Sequence, residues 1–197
     1  MKVFGLNIHK QPLLDRLAII TSSATRESFI KKYLAREPHP KLQIGCGYNL
    51  LPGWLNSDFM PRKGVIHIDA TKKLPFPDAC FDYLFTEHMI EHISVVDAAL
   101  FLAECYRILK MGGTLRVSTP DIQFLKRLWA ESQDQIIKEY SNFAVASFVK
   151  FPKIVNPCVV MNNFFYSWGA QFIYDEKTLI YLLKDTGFSR FSRCEVG

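Results

Sequence analysis

The chain has 197 residues, of which 49% are hydrophobic and 22% are charged, and its formal net charge is +5. This length fits one domain with a substantial hydrophobic core. No apolar stretch approaches the roughly 20 residues that a membrane-spanning helix needs, and the N-terminus lacks the pattern of a secretory signal. We therefore expect a cytoplasmic protein that does not span a membrane.

The positive charge is concentrated at the N-terminal end. Residues 1–41 hold eight Lys and Arg against three Asp and Glu, a difference of five, and the remaining 156 residues hold sixteen of each. A basic segment of this kind can contact nucleic acid or an anionic surface, but it is more often a solvated helix face. We interpret it as a helix face and expect no nucleic-acid partner.

Five cysteines are spread along the chain without a CxxC pair, at Cys46, Cys80, Cys105, Cys158 and Cys194. This spacing forms neither a disulfide framework nor a zinc motif of paired cysteines. We therefore expect reduced and mostly buried thiols, and no bound metal.

The first predicted element is a helical segment over residues 1–40. Residues 1–20 have an ambiguous pattern. Over residues 24–36 apolar side chains recur at helical spacing, with Ser23 or Thr25 as the N-cap. Prolines follow this stretch directly, so we expect the helix to end there.

A series of short apolar segments follows, each closed by glycine, acidic or polar residues. Five of them are predicted to be strands, over residues 41–45, 54–58, 65–69, 80–85 and 113–119. Residues 94–109 have their apolar side chains on one face and predict a crossover helix that Gly112 and Gly113 end. Only ten residues lie between Gly47 and Asp58, so we expect the first crossover helix to be reduced to a turn or two.

The last third of the chain has a less regular pattern. We predict helices over residues 122–140 and 176–184, and a strand over 189–196. Between the two helices, residues 141–170 are rich in Phe, Val and Asn. The stretch 122–175 is therefore either an insertion that covers a binding site as a lid or a group of side chains packed against the sheet.

The order of these segments resembles a known family. The stretch LQIGCGYN…GWLNSDF…IDATKKLPFPDACFDYLFTEHMIEHI…ECYRILKMGGTLRVSTPD is similar to class I S-adenosylmethionine-dependent methyltransferases, most of all to the small, stand-alone type 11 members. The resemblance covers residues 41–121 well and 164–188 more loosely. It implies an α/β, Rossmann-like fold over residues 41–197, with a mostly parallel twisted sheet and helices on both faces. It also implies a C-terminal edge hairpin, which we expect to be incomplete.

The resemblance further implies that S-adenosylmethionine binds along the carboxyl ends of the strands, where open parallel sheets bind their ligands. The residues that match the family's cofactor contacts are, from the methionine end to the adenine, Gly45, Cys46, Gly47, Asp58, Phe59, Asp69 and Ala70. The glycines would let the backbone pass under the methionine part. Asp58 would hold the ribose hydroxyls, and Asp69 would accept a hydrogen bond from the adenine amine.

Three positions depart from the family's pattern. Gln43 stands where many members carry an acidic residue for the cofactor's ammonium group, Asn49 replaces a third glycine, and Ala170 stands where a histidine is frequent. Gln43 can still accept a hydrogen bond, but without the charge of a carboxylate. These departures leave open an alternative, a pseudo-methyltransferase that binds the cofactor without catalysis.

Glu87 and His88 follow the fourth predicted strand, where members of the family meet both the cofactor and the acceptor. His88 would act as a general base, since the ordinary histidine pKa of about 6.5 suits proton abstraction near neutral pH. The alternative is that His88 only packs against its neighbours or caps a helix. Glu91 and His92 would stabilise the start of that helix.

No motif identifies the acceptor. We expect a small molecule or a saccharide-like acceptor, with Tyr166, Trp168 and Tyr174 either lining its pocket or packing in the core. A remote alternative is a zinc-dependent hydrolase, because residues 88–92 also spell HxxEH. On an α-helix the two histidines of that motif would share one face.

Overall fold

The computed structural model describes residues 12–131 and 133–194. Its helices and strands are, in chain order, α1 (Leu13–Arg36), β1 (Lys41–Ile44), β2 (Leu55–Asp58), β3 (Val65–His67), β4 (Phe81–Glu87), α2 (Val95–Ile108), β5 (Leu109–Ser118), α3 (Ile122–Ala130), α4 (Gln135–Phe148), α5 (Pro157–Asn162) and α6 (Glu176–Asp185). A 3₁₀ turn over Ile90–His92 follows β4, and a π-helical turn over Asn163–Ser167 follows α5.

The strands form one sheet in the order β3–β2–β1–β4–β5, and every neighbouring pair is parallel. In such a doubly wound sheet the strand order reverses beside β1, and open α/β sheets bind their ligands at this point, outside the carboxyl ends of the strands. Leu42, Ile44, Leu55 and Leu84 are buried in a core that also includes apolar residues of α2. The predicted α/β, Rossmann-like fold is confirmed.

The connection from β1 to β2 contains no helix, in agreement with the short spacing of the sequence. Residues 45–54 turn instead, and the backbone N–H of Asn49 donates to the carbonyl of Cys46. The side chain of Asn56 fastens the second half of this connection, because its amide oxygen accepts from Leu51 N–H and its Nδ2 donates to the Leu51 and Trp54 carbonyls. The glycines after β1 are therefore presented on a short, internally bonded loop.

Helix α1 begins earlier than predicted and covers the free edge of β3. The predicted N-cap at Ser23 or Thr25 is wrong: the helix continues through both residues, and Thr25 Oγ1 donates to the Thr21 carbonyl one turn back. The part of the N-terminal prediction that concerns residues 1–11 lies outside the described residues. Ser22 Oγ accepts from His67 N–H, and Arg26 donates to the His67 carbonyl, so side chains replace a further strand.

Strand β5 also begins earlier than predicted, at Leu109 directly after α2. The prediction that Gly112 and Gly113 end the helix is wrong, because both lie inside β5 where its register with β4 shifts. Gly112 has a φ of +79°, which favours glycine, and a Cβ on Gly113 would lie 2.9 Å from the Lys110 carbonyl oxygen. The glycines therefore form an irregularity at the start of an edge strand.

A second hydrophobic core lies in the last third of the chain. The predicted helix over 122–140 is two helices, since α3 ends at Ala130 and the Asp134 carboxylate caps α4 by accepting from Ile136 and Ile137 N–H. Apolar side chains of α3, α4, α5 and the π-helical turn bury one another, and they include Leu125, Leu128, Ala144, Val145, Val160 and Phe164. The described part of this stretch therefore packs mainly on itself.

The C-terminal helix is confirmed, but the strand predicted after it is wrong over residues 189–194. Asp175 caps α6 by accepting from Thr178 N–H. Beyond the helix the Phe191 ring lies under Lys184, and Arg193 forms an ion pair of 3.2 Å with Glu176. These side chains hold the segment against α6, and residues 195–197 lie outside the described part.

The cysteines are free thiols, and only Cys46 and Cys105 are buried, so the expectation of mostly buried thiols is wrong. Cys158 and Cys194 are exposed. None of the described helices is both long and apolar enough to cross a lipid bilayer. The division of the chain at residue 40 stays a prediction.

Candidate functional site

The loop after β1 lies between the ends of β2 and β4. Gly45 has a φ of +73°, and a Cβ there would lie 2.6 Å from the Cγ of the buried Met89. Gly47 also has a positive φ, +50°, but a Cβ there would meet no atom within 4 Å. Gly45 is therefore required by close packing against the turn after β4, whereas Gly47 faces open space.

The backbone of this loop is hydrogen-bonded to β2. The N–H groups of Gly45 and Cys46 both donate to the Ser57 carbonyl, at 2.9 and 3.0 Å. Burial, followed by the charge of Asp58, raises the pKa of the Cys46 thiol to about 11, so this thiol stays protonated at neutral pH. The contribution of Cys46 to the site is therefore its backbone and its packing.

Asp58 ends β2 with a half-buried carboxylate beside the glycine loop. Its Oδ2 accepts from Gly47 N–H and its Oδ1 from Met60 N–H, each at 2.9 Å. A carboxylate has about four acceptor positions, so two remain after these bonds. The structure therefore holds Asp58 in place and leaves acceptor capacity for a neighbouring pair of hydroxyls.

The residues predicted to contact adenine follow β2 and β3. The Phe59 ring is buried, and its centroid lies 5.3 Å from that of His67, whose Nδ1 donates to the Phe59 carbonyl. Asp69 Oδ1 accepts from both the N–H and the hydroxyl of Thr71, and Ala70 is buried. Asp69 thus closes the loop after β3, while Phe59 packs inward on His67.

Two polar side chains at the carboxyl half of the sheet are buried without a partner among the described residues. The Oε1 atom of Gln43, on β1, accepts no hydrogen bond. The hydroxyl of Thr86, on the adjacent β4, also has no hydrogen-bond partner. A buried acceptor without a hydrogen bond costs on the order of 1–3 kcal/mol. A ligand that carries N–H groups would satisfy Gln43.

His88 connects the ends of β4 and β5. Its φ is +47°, which is uncommon for a residue with a Cβ, and its N–H donates to the Ser118 carbonyl. The side chain is 63% exposed, and its Nδ1 lies 3.0 Å from Glu91 Oε1. Because a carboxylate only accepts, Nδ1 carries the proton. The hydrogen bond that Nδ1–H donates to Glu91 raises the pKa of His88 above its ordinary value.

Glu91 lies behind His88 with its side chain only 3% exposed. Its Oε2 accepts from the Thr119 hydroxyl at 3.0 Å, and its backbone carbonyl accepts from Gln171 N–H and Phe172 N–H. Glu87, the last residue of β4, is half-buried and adds negative charge near His88. Glu91 therefore joins the turn after β4 to the end of β5 and to the segment before α6.

Residues 55–117 match the family described as "Methyltransferase domain". The matched segment runs from the start of β2 into β5 and is about a third of the chain. A probable S-adenosylmethionine-dependent methyltransferase of Mycolicibacterium smegmatis is 41% identical over 61 residues, which are 31% of this chain and 23% of that protein. A protein of Mycobacterium tuberculosis strain H37Rv with the same description is also 41% identical over 61 residues, 31% of this chain and 21% of that protein. The chain thus spans less than a quarter of either relative.

Among solved structures, the chain is similar to an S-adenosylmethionine-dependent methyltransferase of Thermotoga maritima, described as a possible histamine N-methyltransferase. The two chains are 22% identical with a TM-score of 0.49, and the match covers 90% of this chain and 74% of the other.

The zinc-hydrolase interpretation is wrong in its premise, because residues 88–92 do not form the α-helix that would place both histidines on one face. His88 has left-handed backbone angles, and only Ile90–His92 form a 3₁₀ turn. The predicted helix start at Glu91 is wrong for the same reason. The Glu91 carboxylate is directed at His88 Nδ1 and Thr119, which is a hydrogen-bonded arrangement and not a metal-binding one.

Two of the aromatic residues expected near the acceptor pack in the hydrophobic cores. Tyr174 is buried, and desolvation raises the pKa of its hydroxyl to about 12. The Trp168 ring packs edge-on against Phe164 and Phe148, with centroids 4.6 and 5.3 Å away. Tyr166 is 78% exposed. For Tyr174 and Trp168, packing explains the aromatic side chain.

Sequence reasoning missed the contact between Glu91 and His88. The available signal was an acidic residue three positions after a histidine, between the apolar Ile90 and Ile93. Its interpretation required the left-handed backbone at His88, which directs the imidazole back toward the turn, and neither residue predicts that conformation.

Proposed function

We propose that this methyltransferase domain binds S-adenosylmethionine and transfers its methyl group to a small-molecule acceptor. The observation that carries the proposal is the position of Asp58, whose carboxylate is fixed beside the open Gly47 loop at the carboxyl edge of a parallel sheet. Ligands of this fold bind at that edge. The two mycobacterial relatives, which are described as probable S-adenosylmethionine-dependent methyltransferases, support the same assignment.

The polar groups present fit this cofactor. The unpaired Oε1 of Gln43 would accept from the ammonium group, and the free acceptor positions of Asp58 would take the ribose diol. Asp69 and Ala70 would contact the adenine amine, while Phe59 would support that end through packing. The backbone of residues 45–47 would carry the methionine part. When bound, the cofactor supplies a methyl group on a sulfonium, which is open to in-line attack.

We further propose that His88 is the general base for an acceptor that carries a proton. Its Nδ1–H donates to Glu91, so Nε2 is the proton acceptor and belongs to a mostly exposed side chain. Glu87 lies next to His88 in the chain and would border the same part of the site. Because the pKa of His88 is raised, the imidazole is protonated and inactive at low pH, and activity should increase as the pH rises through that pKa.

In this proposal Glu91 positions His88 without touching the acceptor. The hydroxyl of Thr119 holds one carboxylate oxygen, and the other accepts from Nδ1–H, which selects the tautomer with a free Nε2. A buried carboxylate behind a histidine also stabilises the imidazolium that forms when the base takes a proton. This arrangement requires His88 to adopt left-handed backbone angles, which are strained for a residue with a Cβ.

The second candidate is a protein that binds the cofactor without catalysis. Ala170, in place of a frequent histidine, and the uncharged Gln43 favour it. The two candidates differ in turnover. The purified chain would be incubated with S-adenosylmethionine and sets of small hydroxylated, amine and saccharide acceptors, and S-adenosylhomocysteine would be measured by mass spectrometry. Acceptor-dependent release supports a methyltransferase. Cofactor binding without release with any acceptor supports the alternative.

Finer points stay predictions. A saccharide-like acceptor, the absence of a nucleic-acid partner and a cytoplasmic location rest on the sequence. The acceptor class and the activity of the whole protein are part of this proposal because the match covers a minor part of each mycobacterial relative.

A further inference from the structure

An exposed apolar surface lies at the far end of α4, outside the site described above. It is formed by the end of α4 and the loop to α5, and its members are Phe143, Phe148, Phe151, Ile154 and Val155, which are between 45% and 89% exposed. We call these five side chains the loop surface. Contiguous apolar patches on a protein surface usually mark an interaction site.

The loop surface lies in a stretch of the chain whose charges are all of one sign. From Tyr140 to Tyr174 the only charged residues are Lys150 and Lys153, and both are exposed. They flank Phe151, the most exposed of the five side chains at 89%. The stretch thus combines an apolar tip with adjacent positive charge and has no acidic residue.

Buried packing and hydrogen bonds to the end of α4 hold the loop surface in its conformation. Val149 is buried, and Lys153 Nζ donates to the carbonyls of Val145 and Ala146 at the end of α4. The Phe148 ring packs edge-on against Trp168, and Phe143 packs edge-on against Phe148 with centroids 5.5 Å apart. The exposed apolar groups therefore project from a fixed base.

We propose that the loop surface binds the surface of an anionic phospholipid membrane, with Phe151 inserted among the lipids and Lys150 at the headgroups. Aromatic and aliphatic side chains flanked by lysines suit the boundary between headgroups and acyl chains. Each lysine near an anionic bilayer adds a favourable interaction, and no acidic side chain in this stretch opposes it. The proposal is independent of methyl transfer.

A second copy of the chain is a less suitable occupant. In a twofold dimer the same patch faces itself, so Lys150 and Lys153 of one copy would approach those of the other. Like charges that are brought together at an apolar contact oppose association. Anionic headgroups supply the opposite charge, which a second copy does not.

The test is flotation of the purified full chain with vesicles of phosphatidylcholine alone or with phosphatidylglycerol added. We expect binding to the phosphatidylglycerol vesicles, weaker binding to phosphatidylcholine, and loss of binding at high salt. Phe151→Ser should weaken binding about tenfold, because an inserted phenylalanine returns to water. Lys150→Gln should weaken it about fivefold.

The matched control is Tyr181→Ser, which removes an aromatic side chain that is 68% exposed on α6. It should leave vesicle binding unchanged. Binding to neither vesicle, or equal binding of wild type and Phe151→Ser, would overturn the proposal. A dimer in light scattering that Phe151→Ser dissociates, without vesicle binding, would assign the loop surface to a second copy.

Discussion

The molecule has two hydrophobic cores, which differ in how many polar side chains are buried with them. The sheet core carries buried polar side chains at the carboxyl ends of its strands, among them Gln43, Thr86 and Glu91. The second core, between α3 and the π-helical turn, is apolar apart from Ser141 and Asn163. Chemistry is therefore concentrated at the sheet, whereas the second core serves as a base for the exposed loop surface. Substitutions in the second core should therefore change stability, and substitutions at the sheet should change cofactor binding or turnover.

The largest effect on stability is expected in the second core. Leu128 is fully buried, so Leu128→Ala should lower the free energy of unfolding by about 3 kcal/mol through lost transfer energy and a cavity. S-adenosylmethionine affinity should not change. Chemical denaturation and calorimetry on the same samples measure both quantities. A weaker affinity would mean that the second core shapes the cofactor site.

The next largest effect concerns turnover at the sheet. His88→Ala should lower the methyl-transfer rate about 100-fold, because a positioned base is lost, while the cofactor dissociation constant stays the same. The wild-type rate should increase with pH through the raised pKa of His88, and the variant should lack that increase. An unchanged rate profile would restrict His88 to packing.

The two glycines of the β1 loop provide an internally controlled comparison. Gly45→Ala should lower the free energy of unfolding by about 2 kcal/mol, because its φ is +73° and its Cβ would lie 2.6 Å from Met89 Cγ. Gly47→Ala carries only the backbone strain, about 1 kcal/mol, since the space beside it is open. Equal losses in urea denaturation would show that the contact with Met89 is not what requires Gly45.

A smaller effect on rate, about tenfold, is expected for Glu91→Gln. The pKa of His88 should fall, since the carboxylate that raises it is lost, and the rise of activity should move to lower pH. The amide can also donate to Nδ1 and select the tautomer with the proton on Nε2. Nitrogen chemical shifts of the His88 ring report both changes without any turnover. Thr119→Val, which removes only the support of Glu91, should give a weaker change of the same kind.

The first four strands were predictable because each is short, largely apolar and followed closely by a glycine or a carboxylate, as at Gly45 and Asp58. The start of β5 was not, because Leu109 continues the apolar face of α2 and nothing local separates the two elements. The break between α3 and α4 depends on the capping bonds of Asp134, which compete with a helix that could have continued.

The candidate site likewise has residues that the sequence predicts and residues that it does not. The sequence predicts the location of Asp58 and the glycines in the site, because these residues directly follow or end predicted strands. Glu91 acts across the turn after β4, through a backbone conformation of His88 that its side chain disfavours. Contacts that depend on such strained turns are set by the tertiary structure, because the packing of Met89 and the bond to Ser118 maintain them.

The most direct test of the proposed cofactor site is titration calorimetry of the purified chain with S-adenosylmethionine and S-adenosylhomocysteine, using wild type, Asp58→Asn and Asp185→Asn. We expect dissociation constants below about 1 mM for wild type. Asp58→Asn should weaken binding about tenfold or more, because the ribose hydroxyls lose a charged acceptor. Asp185→Asn, which alters an exposed carboxylate at the end of α6, should leave the affinity unchanged. Absence of binding to a folded chain, or equal affinity in Asp58→Asn, would contradict the proposed site.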